Sequence, residues 1–261
     1  MNEKLAQIIS IVTYANDYLI NNKLCPDFFN KKCFANCESV SFIDHNKLDV
    51  ANNPVEWFKY LKTEGCLKVS AHFMHTENNA VKPDHFSEGL IGGGGDWRLE
   101  TIFNDHVKHW TPKYYYYPYS LSEKFFYVIY RQQFKKHPIV RKSLEVETVK
   151  KQLGAALWYI AEFAAKQGNE FWADFFNKAQ DNLYGSDPID NCYHNDIIPL
   201  ENFSLSEQQL IFSASKAWCF GLEGSWNAIE YKDKVSTNRY LELSANLYDQ
   251  IINSILVVTN K

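Results

Sequence analysis

The sequence predicts a mainly α protein, a multi-helix bundle of antiparallel helices forming one globular domain over residues 1–261. Three observations carry that expectation. Apolar residues recur at helical spacing at Leu5, Ile8, Val12 and Leu19, and more strongly from Val149 through Leu153, Ala156, Leu157, Ile160, Phe163 and Ala164. Helix punctuation stands where starts and stops belong, with Pro54, the Ser204-Leu205-Ser206-Glu207 box, Gly168 and Gly185. Hydrophobic residues make up 46% of the chain and aromatic ones 16%, enough large apolar surface to offset the entropy of ordering one core. A small β element at 67–73 and 124–130 stays open beside the bundle.

Taken in order, residues 5–20 read as a first helix, followed by a mostly polar connection over 24–53 that carries Cys25, Cys33 and Cys37. Pro54 opens a short helix through Trp57, Phe58 and Leu61, which Gly65 ends. Residues 67–73 alternate weakly, as a strand would. After a loop over 78–95, Asp96 is placed to cap a helix carrying Trp97, Leu99, Ile102, Phe103 and Val107, with Thr111-Pro112 closing it. Residues 124–130 are rich in Phe, Tyr, Val and Ile, which favours a strand, while their flanks fit a helix equally well. The helix beginning near Glu147 and the aromatic helix capped by Asn169, with Phe171, Trp172, Phe175, Phe176 and Leu183, form an antiparallel hairpin. The capping box starts another helix, and a last one runs from about Thr237 with Tyr240, Leu243, Leu247, Ile251 and Ile255 on one face.

Charge and composition exclude several classes. A net charge of −4 argues against a polyanion partner, because nucleic-acid binding needs clustered Lys and Arg, and the only basic cluster is Lys135, Lys136 and His137 with Arg141 and Lys142. The N-terminal pattern is interrupted by Glu3, Lys4 and Asp17, which predicts an amphipathic helix rather than an export signal. No run reaches the ~20 apolar residues of a membrane span. The expectation is a cytoplasmic protein with reduced thiols, no cofactor, and an oligomeric state the sequence leaves open.

Two stretches stand out as candidate binding residues. Gly93, Gly94 and Gly95, then Asp96, Trp97 and Arg98, bring backbone amides within reach of an anion, with Arg98 as charge partner. The stretch lacks the Gly-Lys-Ser/Thr ending of a phosphate loop, and Asp96 would compete for the same amides; a structural turn docking Trp97 is the alternative. The second stretch holds Glu223, Ser225, Trp226 and Asn227 between two helix-breaking glycines. Residues 223 and 227 are Glu and Asn where a hydrolase elbow around Ser225 needs glycines, so a packed corner is the reading preferred there. Tyr115 and Tyr117 belong to a run, Tyr114 to Tyr117, that suits either a recognition surface or alternate packing into the core. Cys25, Cys33, Cys37, Cys66, His72 and His75 do not have the close Cys-x2-Cys spacing of thiolate zinc sites. His106 and His109, three apart on the expected helix, lack the carboxylate-bearing partner helix of a bundle metal site. No catalytic residue and no metal ligand is assigned.

Gly93 to Leu99, followed by Ala217 to Asn227 in the pattern Ala-Trp-x-Phe-Gly-x-x-Gly-Ser-Trp-Asn, resembles a family of uncharacterised bacterial helical proteins. Some proteins of this kind resemble immunity proteins that neutralise polymorphic toxins. The resemblance implies a non-catalytic protein whose partner is a cognate toxin domain, bound through an acidic and aromatic surface. The competing expectation is an enzyme or sensor that holds a phosphorylated or nucleotide-like small molecule at the Gly92–Arg98 loop.

Overall fold

The computed structural model describes residues 1–77, 83–88, 94–117, 124–135 and 144–261. In chain order these form helix α1 (Glu3–Asn21), strands β1 (Cys37–Ile43) and β2 (Asp49–Ala51), helix α2 (Pro54–Thr63), and strands β3 (Lys68–Met74), β4 (Asp96–Ile102), β5 (Val107–Tyr116) and β6 (Phe126–Lys135). Helices α3 (Val146–Lys166), α4 (Glu170–Tyr184), α5 (Leu205–Lys216) and α6 (Lys234–Thr259) follow. The fold is mixed α/β, which corrects the expected helical bundle: a six-stranded sheet in the order β2-β1-β6-β5-β4-β3 is built from the first half of the chain. All its pairings are antiparallel except β1 with β6.

The expected helix after Asp96 is strand β4, and its alternation shows why. Trp97, Leu99 and Thr101 are buried on one face, and the intervening Arg98, Glu100 and Ile102 occupy the other. Thr111-Pro112 does not end an element either, since β5 runs through it. The register of β5 with β4 extends only from Val107 to Trp110, so Pro112 lies where its missing N–H costs no pairing to β4. His106 and His109 therefore do not share a helix face: His106 precedes His109 by a strand-forming turn, and His109 is buried in β5. Residues 67–73 and 124–130, the open β element, fall in β3 and β6.

One sheet face carries the core. Trp57 of α2 stacks on Phe42 of β1 at 4.3 Å, Phe42 stacks on Tyr130 of β6 at 5.0 Å, and Trp110 of β5 meets Trp57 edge-on at 5.5 Å. The free edge of β3 is protected by two amides that mimic a further strand. Asn16 of α1 accepts from the Val69 N–H and donates to the Val69 carbonyl, both at 2.8 Å, and Asn260 does the same for Ala71 at 2.8 and 2.9 Å. The two helices are thereby fixed along the sheet edge. On their outer side α3 packs against α4 and α6, and α5 lies between α4 and α6. The caps expected at Asn169 before α4 and at the reciprocal Ser204–Glu207 box before α5 hold, and Pro54 opens α2 behind an Asn53 cap. Among the described residues no helix is long and apolar enough to cross a membrane.

Candidate functional site

The two glycine-bearing stretches meet, but in a packed hub rather than a cleft. Gly94 and Gly95 both adopt positive φ, +81° and +79°, and the turn they form runs against Glu88 and Phe73 so closely that any Cβ would overlap those side chains. The carbonyl of Gly94 accepts from Tyr248 of α6 at 2.7 Å, and the Tyr248 hydroxyl also lies 2.6 Å from Glu88 Oε1. One proton cannot serve both acceptors. Burial pushes the Glu88 carboxyl above its usual range, against the pull of Lys4 at 3.3 Å. The group is fully bonded when Glu88 carries a proton, donates to Tyr248, and leaves Tyr248 to donate to Gly94. The space an anion would need is thus filled by a carboxyl group, and a strand rather than a helix N-terminus follows Asp96. Gly93 lies outside the described residues. Asp96 pairs with Arg98, and Trp97 is buried against Phe73 at 5.0 Å.

The second stretch closes the same hub. The Asn227 amide donates to the His85 carbonyl at 2.7 Å, while the rings of Phe220 and Trp218 pack on Tyr248 at 5.3 and 6.0 Å. Trp226 is wholly buried, its indole N–H donating to Ser244 Oγ at 2.7 Å. Ser225 Oγ is buried without a hydrogen-bond partner among the described residues, and Glu223 is exposed. Among the described residues no base is hydrogen-bonded to Ser225 Oγ to activate it.

The hub has a pH signature. Burial pushes the His85 imidazole down to about 4, with the neighbouring Asp84 carboxylate opposing only in part. An unfolded chain takes up this proton near pH 6.5 and the folded chain does not until about pH 4, so the contribution is complete above pH 6.5 and is lost as pH falls toward 4. We expect a loss of ~2 kcal/mol between pH 7 and pH 5 from this group. Urea unfolding at the two pH values checks it; a slope unchanged in His85→Gln would rule His85 out as its source.

The sheet face turned away from α2 carries polar residues in register. Ser70, Glu100 and His109 are successive cross-strand partners, and all three are buried. His109 Nε2 lies 3.1 Å from Glu100 Oε2, without the alignment of a hydrogen bond. Farther along, Tyr115 stacks on Tyr127 at 4.8 Å and Tyr117 tilts against the same ring, while the intervening Tyr114 buries its hydroxyl on the opposite face. The tyrosine run therefore divides between the two faces, as strand alternation requires. A buried carboxylate beside an imidazole is an acid–base pair, sealed here from bulk water.

An open, chemically distinct surface lies on α3 and α4. Trp158, Ala161, Glu162 and Ala165 of α3 face Glu170, Ala173, Asp174 and Asn177 of α4 across a groove of 230 Å³. Each set follows the three- and four-residue spacing that puts side chains on one helix face. Trp158 is 50% exposed and Phe171, at the start of α4, is 70% exposed. Along α4 the groove gives way to a wider depression of 550 Å³ lined by Asp181, Asp187 and Asp190 together with Lys178 and Lys216. The sequence alone reads Asp174 and Asp181, seven apart on a helix, as a solvated pair and gives the other residues here no binding role, although the 158, 162, 165 spacing was available. Among the described residues no group of three His, Cys, Asp or Glu is placed to hold a metal, and all six cysteines are free.

Comparison of the chain with protein-family models, with curated proteins and with solved structures finds no match.

Proposed function

We propose that the chain is a protein-binding protein of the immunity type, which captures a basic partner domain, a cognate toxin, on the outer face of α3 and α4. The observation that carries this reading is the half-exposed Trp158 set among Glu162, Glu170 and Asp174 in one groove, with Phe171 exposed at the start of α4 and Asp181 in the next depression along it. Exposed aromatic anchors supply the apolar core of protein interfaces, and acidic surfaces steer and register basic partners. The net charge of −4 acts in the same direction.

Co-expression with the product of the adjacent gene tests the proposal. We expect that product to be toxic alone, to co-purify with this chain, and to lose ~30-fold in affinity when Trp158 and Phe171 are both changed to alanine. A neighbour that is neither toxic nor bound sinks the reading.

A further inference from the structure

We propose that the α3–α4 groove is a recognition pocket for one arginine side chain of the partner; the inference rests on the protein-binding reading and names what the face grips. Size comes first. At 230 Å³ the groove falls below the ~300–1,000 Å³ of small-molecule and cofactor sites and suits one long side chain. Its floor is made of small side chains, Ala161, Ala165 and Ala173, with Ala161 and Ala173 buried, so an aliphatic stem can lie between the helices.

Charge and shape then choose the head group. Three carboxylates, Glu162, Glu170 and Asp174, line the pocket, and the half-exposed Trp158 ring forms its wall. Two of the carboxylates are engaged by lysines one turn along their own helices, Glu162 with Lys166 at 3.3 Å and Asp174 with Lys178 at 2.7 Å. Both lysines are well exposed, 74% and 60%, and pairs so open to water are weak enough for a desolvated partner to displace. A planar guanidinium stacks flat on an indole while its forked N–H groups bond two carboxylates; an ammonium can also meet a ring and a carboxylate, but as a compact point charge without the flat face or the fork. The pocket selects arginine over lysine for that reason.

The probes are capped tetra-arginine, tetra-lysine and tetra-glutamate peptides added to the full chain. The reporter is the Trp158 indole N–H resonance, assigned through its disappearance in Trp158→Phe. We expect a saturable shift with tetra-arginine, binding ~5-fold weaker or more with tetra-lysine, and no shift with tetra-glutamate. The double variant Glu170→Gln, Asp174→Asn should weaken tetra-arginine binding ~10-fold while leaving the urea midpoint unchanged, since both side chains are exposed. An unmoved Trp158 resonance, equal affinity for the lysine peptide, or binding indifferent to the double variant overturns the assignment. If the arginine peptide fails while Trp158→Ala still releases the co-purifying partner, the pocket assignment falls and the binding face stands. If the neighbour's product does not bind at all, the protein-binding reading is the one that falls.

Discussion

Trp226→Ala is expected to destabilise the fold by ~3–5 kcal/mol, a large part of the ~5–15 kcal/mol that holds a typical domain together. The indole is wholly buried and edge-packed on Trp172 at 5.6 Å and Phe176 at 5.1 Å, with Tyr240 tilted against it at 5.2 Å. Truncation removes those contacts and opens a cavity that three neighbouring rings, two fixed on α4 and one on α6, cannot collapse to fill. It also strips the Ser244 hydroxyl of its 2.7 Å donor inside the core. The nearby backbone loses less: Tyr240 still donates to the carbonyl of residue 226 at 2.7 Å whatever side chain stands there. Urea unfolding of the two proteins measures the difference. A cost under ~1 kcal/mol would mean that the corner is not a structural keystone and that its tryptophan serves something else. Trp158→Ala, removing an indole of equal size that is half exposed, gives the internal comparison and should cost much less.

The contrast between those two tryptophans also shows what a sequence can disclose. The second half of the chain was legible because its helices are amphipathic and individually punctuated: Asn169, the Ser204–Glu207 box and Gly168 each perform the local role their residue type suggests, and Gly185 ends α4 from extended backbone. Of the sheet only β3 and β6 were legible in part, and β4 was not, because it satisfies two templates at once. Trp97, Leu99, Ile102, Phe103 and Val107 can be drawn as a helical stripe behind an Asp96 cap, whereas in the fold Trp97 and Leu99 share one face of β4, Ile102 lies on the other, Phe103 is in the turn after it and Val107 opens β5. What decides is nonlocal, namely pairing with β3 on one side and β5 on the other, and no window of sequence contains it. The tyrosine run had an alternating reading available, and Tyr114 and Tyr115 do point to opposite faces. For the candidate site the difficulty is of another kind. Periodicity identifies the buried face of α3 through Leu153, Leu157, Ile160 and Ala164, and Trp158 then counts as one more aromatic until the fold leaves half of it exposed beside α4. Arg98, Tyr115 and Tyr117 share the far sheet face, while Gly94, Gly95 and Trp97 and the pair Trp226 and Asn227 belong to the hub; the α3–α4 groove contains none of the binding candidates the sequence offers, and its Asp174 reads there only as half of a solvated pair with Asp181.

Gly95→Ala separates a turn that only needs positive φ from one that also needs room. Three glycines make the comparison: Gly224, Gly94 and Gly95 have nearly the same φ, +80°, +81° and +79°, so a methyl group strains each backbone by about the same ~1–2 kcal/mol. At Gly224 nothing lies within 4 Å of the new Cβ, and that strain is the whole expected cost. At Gly95 the methyl overlaps the Phe73 ring and comes within 3.2 Å of the Met74 carbonyl, which is strand backbone and cannot yield. Phe73 is itself wedged between Trp97 at 5.0 Å and Tyr248 at 6.2 Å, so moving it disturbs the hub. Overpacking adds a further ~1–3 kcal/mol, for an expected total of ~2–5 kcal/mol. Gly94→Ala should fall between the two, because it meets the end of a flexible Glu88 side chain that Tyr248, Lys4 and Asn2 nonetheless hold in place. The source of the Gly95 penalty is checked by a double-mutant cycle: with Phe73 already changed to alanine the overlap with the ring is gone and only the 3.2 Å approach to the Met74 carbonyl remains, so Gly95→Ala should cost less than in the parent protein but still more than Gly224→Ala. Equal costs at 95 and 224 in the parent protein would show that the turn has slack to move, and would reopen the glycine stretch as a ligand loop.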